Sequence, residues 1–213
     1  MATYKNGILG SFSGKIGSVV FTTWKGIPVI RSKPIRKNIN PSPLQEQQRA
    51  KFKLISGFLK PLKDLLNQTF HQSAVGMSWF NKALSENKSA ITGNYPLIAI
   101  DYPKILLSKG KLPLGEPPTI SSQESGKLLL TWKKGDGIDR DLTEGSAFIA
   151  AYQEELNRWI IGQYDISSGI TTCVLDVEPF VDKGVQTYIG FISKNSSKKS
   201  ESRYMGVVNV RCE

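Results

Sequence analysis

Residues 185–193 read VQTYIGFIS. In an extended chain successive side chains point to opposite faces, so Val185, Thr187, Ile189 and Phe191 share one side. The stretch is rich in β-branched and aromatic residues and predicts a strand with one buried face. The pattern recurs on both sides of it: KLLLTW (127–132), AFIAAYQ (147–153), RWIIGQY (158–164), TCVLDV (172–177) and RYMGVVNV (203–210). Leu128, Leu130 and Trp132 fall on one face, as do Cys173, Leu175 and Val177. Turn formers separate the runs: GDGIDRD, SSG, DKG and NSSKKS. Six or seven short strands at this spacing predict a two-sheet β-sandwich over residues 117–213.

Upstream the period changes. Ser42, Pro43 and Gln45 give an N-cap, a first-turn proline and a capping box. Phe52, Ile55, Leu59, Leu62 and Leu66 then follow at spacings of three and four, widened by Phe58 and Leu65. Arg49, Lys51, Lys53, Lys60 and Lys63 fall mostly off that stripe. This is an amphipathic helix, kinked at Pro61. MSWFNKALSEN (77–87) predicts a second helix, and the two read as a helical hairpin burying leucine and aromatic faces together. Residues 88–118 predict one or two strands pairing with the N-terminal segment.

That segment, GSFSGKIGSVVFTTWKGIPVIRSKP (10–34), predicts a hairpin. Val19–Trp24 is one strand, Lys25-Gly26 a tight turn, and Pro28–Lys33 the return strand at an edge. Two strands alone are marginal in water, so the hairpin must pack on something. On this reading Trp24 and Ile30 share the buried face, and Arg31 and Lys33 alternate outward. The fold class is α+β. A β-hairpin and helical hairpin occupy residues 1–116, and an all-β immunoglobulin/fibronectin-III-like sandwich occupies 117–213. The tryptophan ending LLLTW resembles the B strand of the fibronectin type III branch, and QTYIGFISKN resembles its F strand. Such folds host recognition and assembly rather than one chemistry.

The formal charge is +10. Residues 1–60 contain 11 Lys and Arg against Glu46 alone, while residues 61–213 carry 17 of each sign. The whole excess therefore lies in the opening segment. It suits a nucleic acid, an acidic surface or an anionic membrane, or is a solvated face that keeps the protein soluble. Lys15, Lys25, Arg31, Lys33, Arg36 and Lys37 are the candidate contacts for assembly or for a polyanion. Trp24 among them could stack a base.

Chemistry is hard to find. His71 is the only histidine and lies near a helix end, the place of a capping or surface residue. No cysteine or histidine spacing suits zinc. GSFSGKIGS lacks phosphate-loop spacing. Asp136, Asp139 and Asp141 lack the calcium-loop pattern and its closing glutamate. Glu154 and Glu155 are adjacent at a strand end, where neighbours point to opposite faces. Cys173 reads as a buried thiol, with Cys212 near the chain end. No catalytic residue, metal or cofactor is expected, and the chain reads as no enzyme. The opening residues are not a Sec-type signal, which leaves cytoplasmic synthesis with release or non-classical export open. No run is long and apolar enough to span a membrane.

Gly14, Lys15, Gly17, Val19, Val20, Trp24, Lys25, Gly26 and Arg31 form a GKxGxVVxxxWKGxxxxR block. NPSPLQEQQRAKF, YPKILLSKGKL and SESRYMGVVNV follow in order. Together they resemble an uncharacterised bacterial family, a domain of unknown function, with that opening and an immunoglobulin-like tail. The resemblance implies a distinct N-terminal module and no catalytic residues. Similar openings occur in phage-like structural proteins. The expectation is a self-assembling homo-oligomer (filament, tube or phage-like part) joined through its N-terminal arm. Nucleic-acid binding by the basic 60 residues is the alternative.

Overall fold

The computed structural model describes residues 2–3, 13–24, 26–35, 40–71, 73–74, 76–112, 118–132, 145–166, 172–193 and 198–212. They belong to two compact units, Met1–Ser42 and Pro43–Glu213. The chain thus divides at 42/43, rather than at 116/117 as the change of sequence pattern suggested. The reason lies in the packing of the second unit.

In the first unit β1 (Ala2–Thr3), β2 (Gly14–Ile16), β3 (Val19–Trp24) and β4 (Ile27–Ser32) form one antiparallel sheet in the order β1-β4-β3-β2. The expected hairpin is its centre, with Trp24 opposite Ile27 and Val19 opposite Ser32, but β4 is not the edge strand that Pro28 suggested, because β1 pairs with it at Val29 and Ile30. Gly26 closes the β3–β4 connection at φ 79°, and Gly17 the β2–β3 connection at φ 56°. Glycine, with no Cβ, takes such values at no steric cost.

The second unit opens with α1 (Pro43–Leu59), a 3-10 turn at Lys60–Leu62, and α2 (Lys63–Phe70). The interruption falls at Pro61, which has no N–H for the helical ladder. Next comes α3 (Trp79–Glu86), capped by Ser78, whose Oγ accepts from the Asn81 N–H at 3.2 Å. Then β5 (Ile91–Asn94) and β6 (Leu97–Ile100) pair with each other. The expected pairing of this region with the N-terminal hairpin does not occur among the described residues. Two strands joined by two residues close a local hairpin at far lower loop entropy.

The remaining strands are β7 (Thr119–Ser121), β8 (Lys127–Thr131), β9 (Gly145–Gln153), β10 (Arg158–Asp165), β11 (Thr172–Asp176), β12 (Gly184–Ser193) and β13 (Arg203–Asn209). They make two antiparallel sheets, ordered β11-β8-β7 and β10-β9-β12-β13. Between the sheets lie Leu128, Leu130, Trp132, Ala147, Ile149, Ala151, Cys173, Leu175, Val185, Ile189 and Phe191. Those of β8, β11 and β12 are alternating positions read from the sequence; the face carried by Ala147, Ile149 and Ala151 was not.

The opposite face of the four-stranded sheet is covered too. Phe148, Ala150, Tyr152, Trp159, Tyr188 and Ile192 pack with Ile55, Phe58, Leu59, Leu62, Leu66 and Phe70 of the helices. The unit therefore has three layers: helices, a four-stranded sheet and a three-stranded sheet. The helices share their core with β9, β10 and β12, so they are not part of a module with the N-terminal strands. At the contact, Phe148 lies opposite Gly190, where a Cβ would fall on the Phe148 ring.

Buried polar groups lock the layers. The amide of Asn87 donates to the carbonyls of Ala83 (2.9 Å) and Leu106 (2.8 Å) and accepts from the Leu106 N–H at 2.7 Å. Thr69 Oγ1 donates to the Leu107 carbonyl at 2.8 Å, and the Leu107 N–H donates to Ser202 Oγ at 2.8 Å. The extended run after residue 104 is thus fixed to helices on one side and to the C-terminal segment on the other. A buried polar group left without such partners would cost far more than the bond itself contributes.

Candidate assembly surface

The pairing of β2, β3 and β4 decides which side chains share a face of the first sheet. Gly14, Phe21 and Ile30 are in register, as are Ile16, Val19 and Ser32. One face therefore carries Ile16, Val19, Phe21, Thr23, Pro28, Ile30 and Ser32, with no charged residue. The other carries Lys15, Val20 and Arg31 in one row, Thr22 and Val29 in the next, and Trp24 with Ile27 in the last.

This corrects the expected partition. Trp24 shares its face with Val29 and Arg31, and Ile30 lies on the opposite face with Phe21. The two-residue turn puts Trp24 opposite Ile27, so even positions of β3 meet odd positions of β4. Trp24 is also 58% exposed rather than buried.

Burial is shallow throughout. Among the described residues of this unit Val29 alone is a fully buried hydrophobic, at 3% exposure. Val19, Val20, Phe21 and Ile30 are half-buried, and Ile16 is 70% exposed. No helix or second sheet occurs among the unit's described residues. A stable domain ordinarily has two packed layers around one core, and chains near 40 residues ordinarily need a disulfide, a metal or association.

Of the six candidate contacts, Lys15 and Arg31 come together, flanking Val20 on one face. Lys33 follows the end of β4, exposed, with its backbone N–H donating to the Ser18 carbonyl at 2.7 Å. Lys25, Arg36 and Lys37 lie outside the described residues. No ion pair involves Lys15, Arg31 or Lys33 among the described residues. Residues 1–42 contain seven Lys and Arg and no acid. Sequence reasoning missed Ile16: its three-residue strand is bracketed by Gly14 and Gly17, which read as a flexible segment.

Elsewhere the chemistry is sparse. The described residues contain no group of three His, Cys, Asp or Glu placed to hold a metal. His71 follows α2, exposed. Glu154 and Glu155 sit at the turn between β9 and β10, and Glu155 pairs with Lys183 at 2.9 Å. Asp136, Asp139 and Asp141 lie outside the described residues. Cys173 is buried, which pushes its thiol up to about 11, and Cys212 is exposed. No described helix is long and apolar enough to cross a membrane.

The chain belongs to a family of unknown function, DUF6266, whose model matches residues 11–206. No curated protein matches it. Among solved structures, one titled "Myokine structure" is similar over 45% of this chain and 93% of its own, at 14% identity and a TM-score of 0.35. That likeness is too slight to carry an argument.

Proposed function

We propose that this member of the DUF6266 family is a non-enzymatic structural protein that assembles with copies of itself through its N-terminal sheet, as a filament, tube or phage-like particle component. The observation that carries the reading is that the described strands of the N-terminal unit form one sheet, on one face of which the described residues are apolar and place no charge. Ile16, Val19, Phe21 and Ile30 on that face are not fully buried. A second copy docked on this face would bury its exposed apolar area, and that area is the driving term. A contact between unlike surfaces that does not close gives an open helix or tube. Strands β7–β13, three against four in two antiparallel sheets, fit a fibronectin-III-like sandwich. That architecture suits a rigid body carrying a docking element.

The test is light scattering and electron microscopy of purified chain beside a version lacking residues 1–33. Assemblies lost on deletion support the reading. A strict monomer at high concentration, unchanged by deletion, rejects it.

The opposite face favours a second reading. Lys15 and Arg31 lie on the same side as exposed Trp24, a combination that grips phosphates and stacks a base. Binding of single-stranded DNA that falls steeply with salt would support it.

A further inference from the structure

We propose that the groove between α1 and α3 binds a small amphiphile with an apolar chain and one anionic head, of which a medium-chain carboxylate is the simplest form. The groove encloses about 440 Å³, within the range of small-molecule sites. Ile55, Leu84 and Ile91 make its apolar floor, and Phe52 stands at its edge, 60% exposed. Phe52 is in phase with the core stripe of α1, three residues before Ile55. Its side chain is nevertheless left in water, where a ligand chain can cover it.

Charge selects the head group. Lys51 and Lys88 are the charged lining residues, and among the described residues no carboxylate lines the groove. Neither lysine forms an ion pair among the described residues. Nearby Lys82 and Lys109 differ: both are neutralised by Glu86, at 2.7 and 2.6 Å. Two uncompensated cations above an apolar floor complement an anion on an apolar body.

Size selects a small ligand over a macromolecule. Nine residues line the groove, whereas a stable protein interface engages about 20–30 on each side. The N-terminal unit of a second copy is a poor occupant, because its seven cations and no acid would meet Lys51 and Lys88. The inference is independent of the assembly reading.

The test is titration of the full chain with decanoate, decanol and decyltrimethylammonium, each below its micelle concentration. Calorimetry and backbone amide NMR are the readouts. Decanoate binds once per chain, with shifts confined to α1, α3 and the start of β5. The cationic analogue binds about tenfold more weakly or less. Lys51→Gln with Lys88→Gln weakens decanoate by about tenfold and leaves decanol unchanged, while Phe52→Ala weakens both. All three positions are at the surface, and an unchanged amide spectrum verifies the fold of each variant. The proposal is overturned by absence of saturable decanoate binding, by equal binding of anion and cation, or by indifference to the lysine changes. Saturable binding of an acidic amphipathic peptide without any of decanoate would also overturn it, assigning the groove to a protein partner.

Discussion

The indole N–H of Trp159 donates to the carbonyl oxygen of Phe58 at 3.0 Å, buried between the helices and the four-stranded sheet. The two rings also meet edge-on, with centroids 4.9 Å apart. The bond sits just before the Pro61 interruption, so a break in the helix is where the helix is fastened to β10. Trp159→Phe keeps a ring but leaves the Phe58 carbonyl buried and unmatched. It should cost about 1–3 kcal/mol in denaturant unfolding. Unchanged stability would mean that the bond does not join the layers.

Two glycines should respond in opposite directions. Gly190→Ala drives a Cβ into the ring of Phe148 on the neighbouring strand, and should destabilise by about 1–3 kcal/mol. Gly57→Ala meets nothing within 4 Å in an exposed part of α1, and should stabilise by about 0.5–1 kcal/mol. Thermal unfolding of both variants checks the pair.

Stability should fall on the alkaline side. Burial raises the hydroxyls of Tyr102, Tyr152, Tyr164, Tyr188 and Tyr204 above the usual 10.0, with Glu154 adding to Tyr102. Burial likewise raises the Cys173 thiol from 9.0 to about 11. Each group holds its proton longer when folded, so its contribution is complete below the unfolded value and is lost as pH rises toward the folded one. Lys199, lowered by burial, acts with the opposite sign, one group against six. Urea unfolding should give equal free energies at pH 7 and 8.5 and a progressive loss above pH 9 to 10. Equal stability at pH 7 and 11 would contradict the described burial.

The two faces of the N-terminal sheet should separate by mutation. Lys15→Gln with Arg31→Gln alters only the cationic face, and should leave self-association intact while weakening salt-sensitive binding of single-stranded DNA. Loss of association in this variant, read by light scattering, would move the assembly contact to the cationic face.

The strands were legible where alternation was strong. KLLLTW, RWIIGQY, TCVLDV and VQTYIGFIS all became strands within a residue or two of the expected ends. Alternation in β12 also concealed something. Its even positions, Tyr188 and Ile192, are as buried as its odd ones, because helices cover that face, and a two-layer sandwich leaves it in water. The helix pattern was equally plain, but periodicity says which side of a helix is buried and not what covers it. The boundary at 116/117 followed from that gap. At the N-terminal sheet the hairpin was legible from propensity and Gly26. The side shared by Trp24 and Arg31 was not, because it depends on whether the turn holds an even or odd number of residues. Lys25, Arg36 and Lys37 lie outside the described residues.

Sedimentation velocity of the full chain over a hundredfold concentration range, beside Ile16→Glu, tests the central claim most directly. Ile16 is 70% exposed on β2, so a glutamate there adds a charge to the apolar face without emptying a core. The account predicts species larger than one chain that grow with concentration, and a shift of Ile16→Glu toward the single chain. A full chain that sediments as a monomer throughout, or an Ile16→Glu variant that associates as well as the parent, would contradict it.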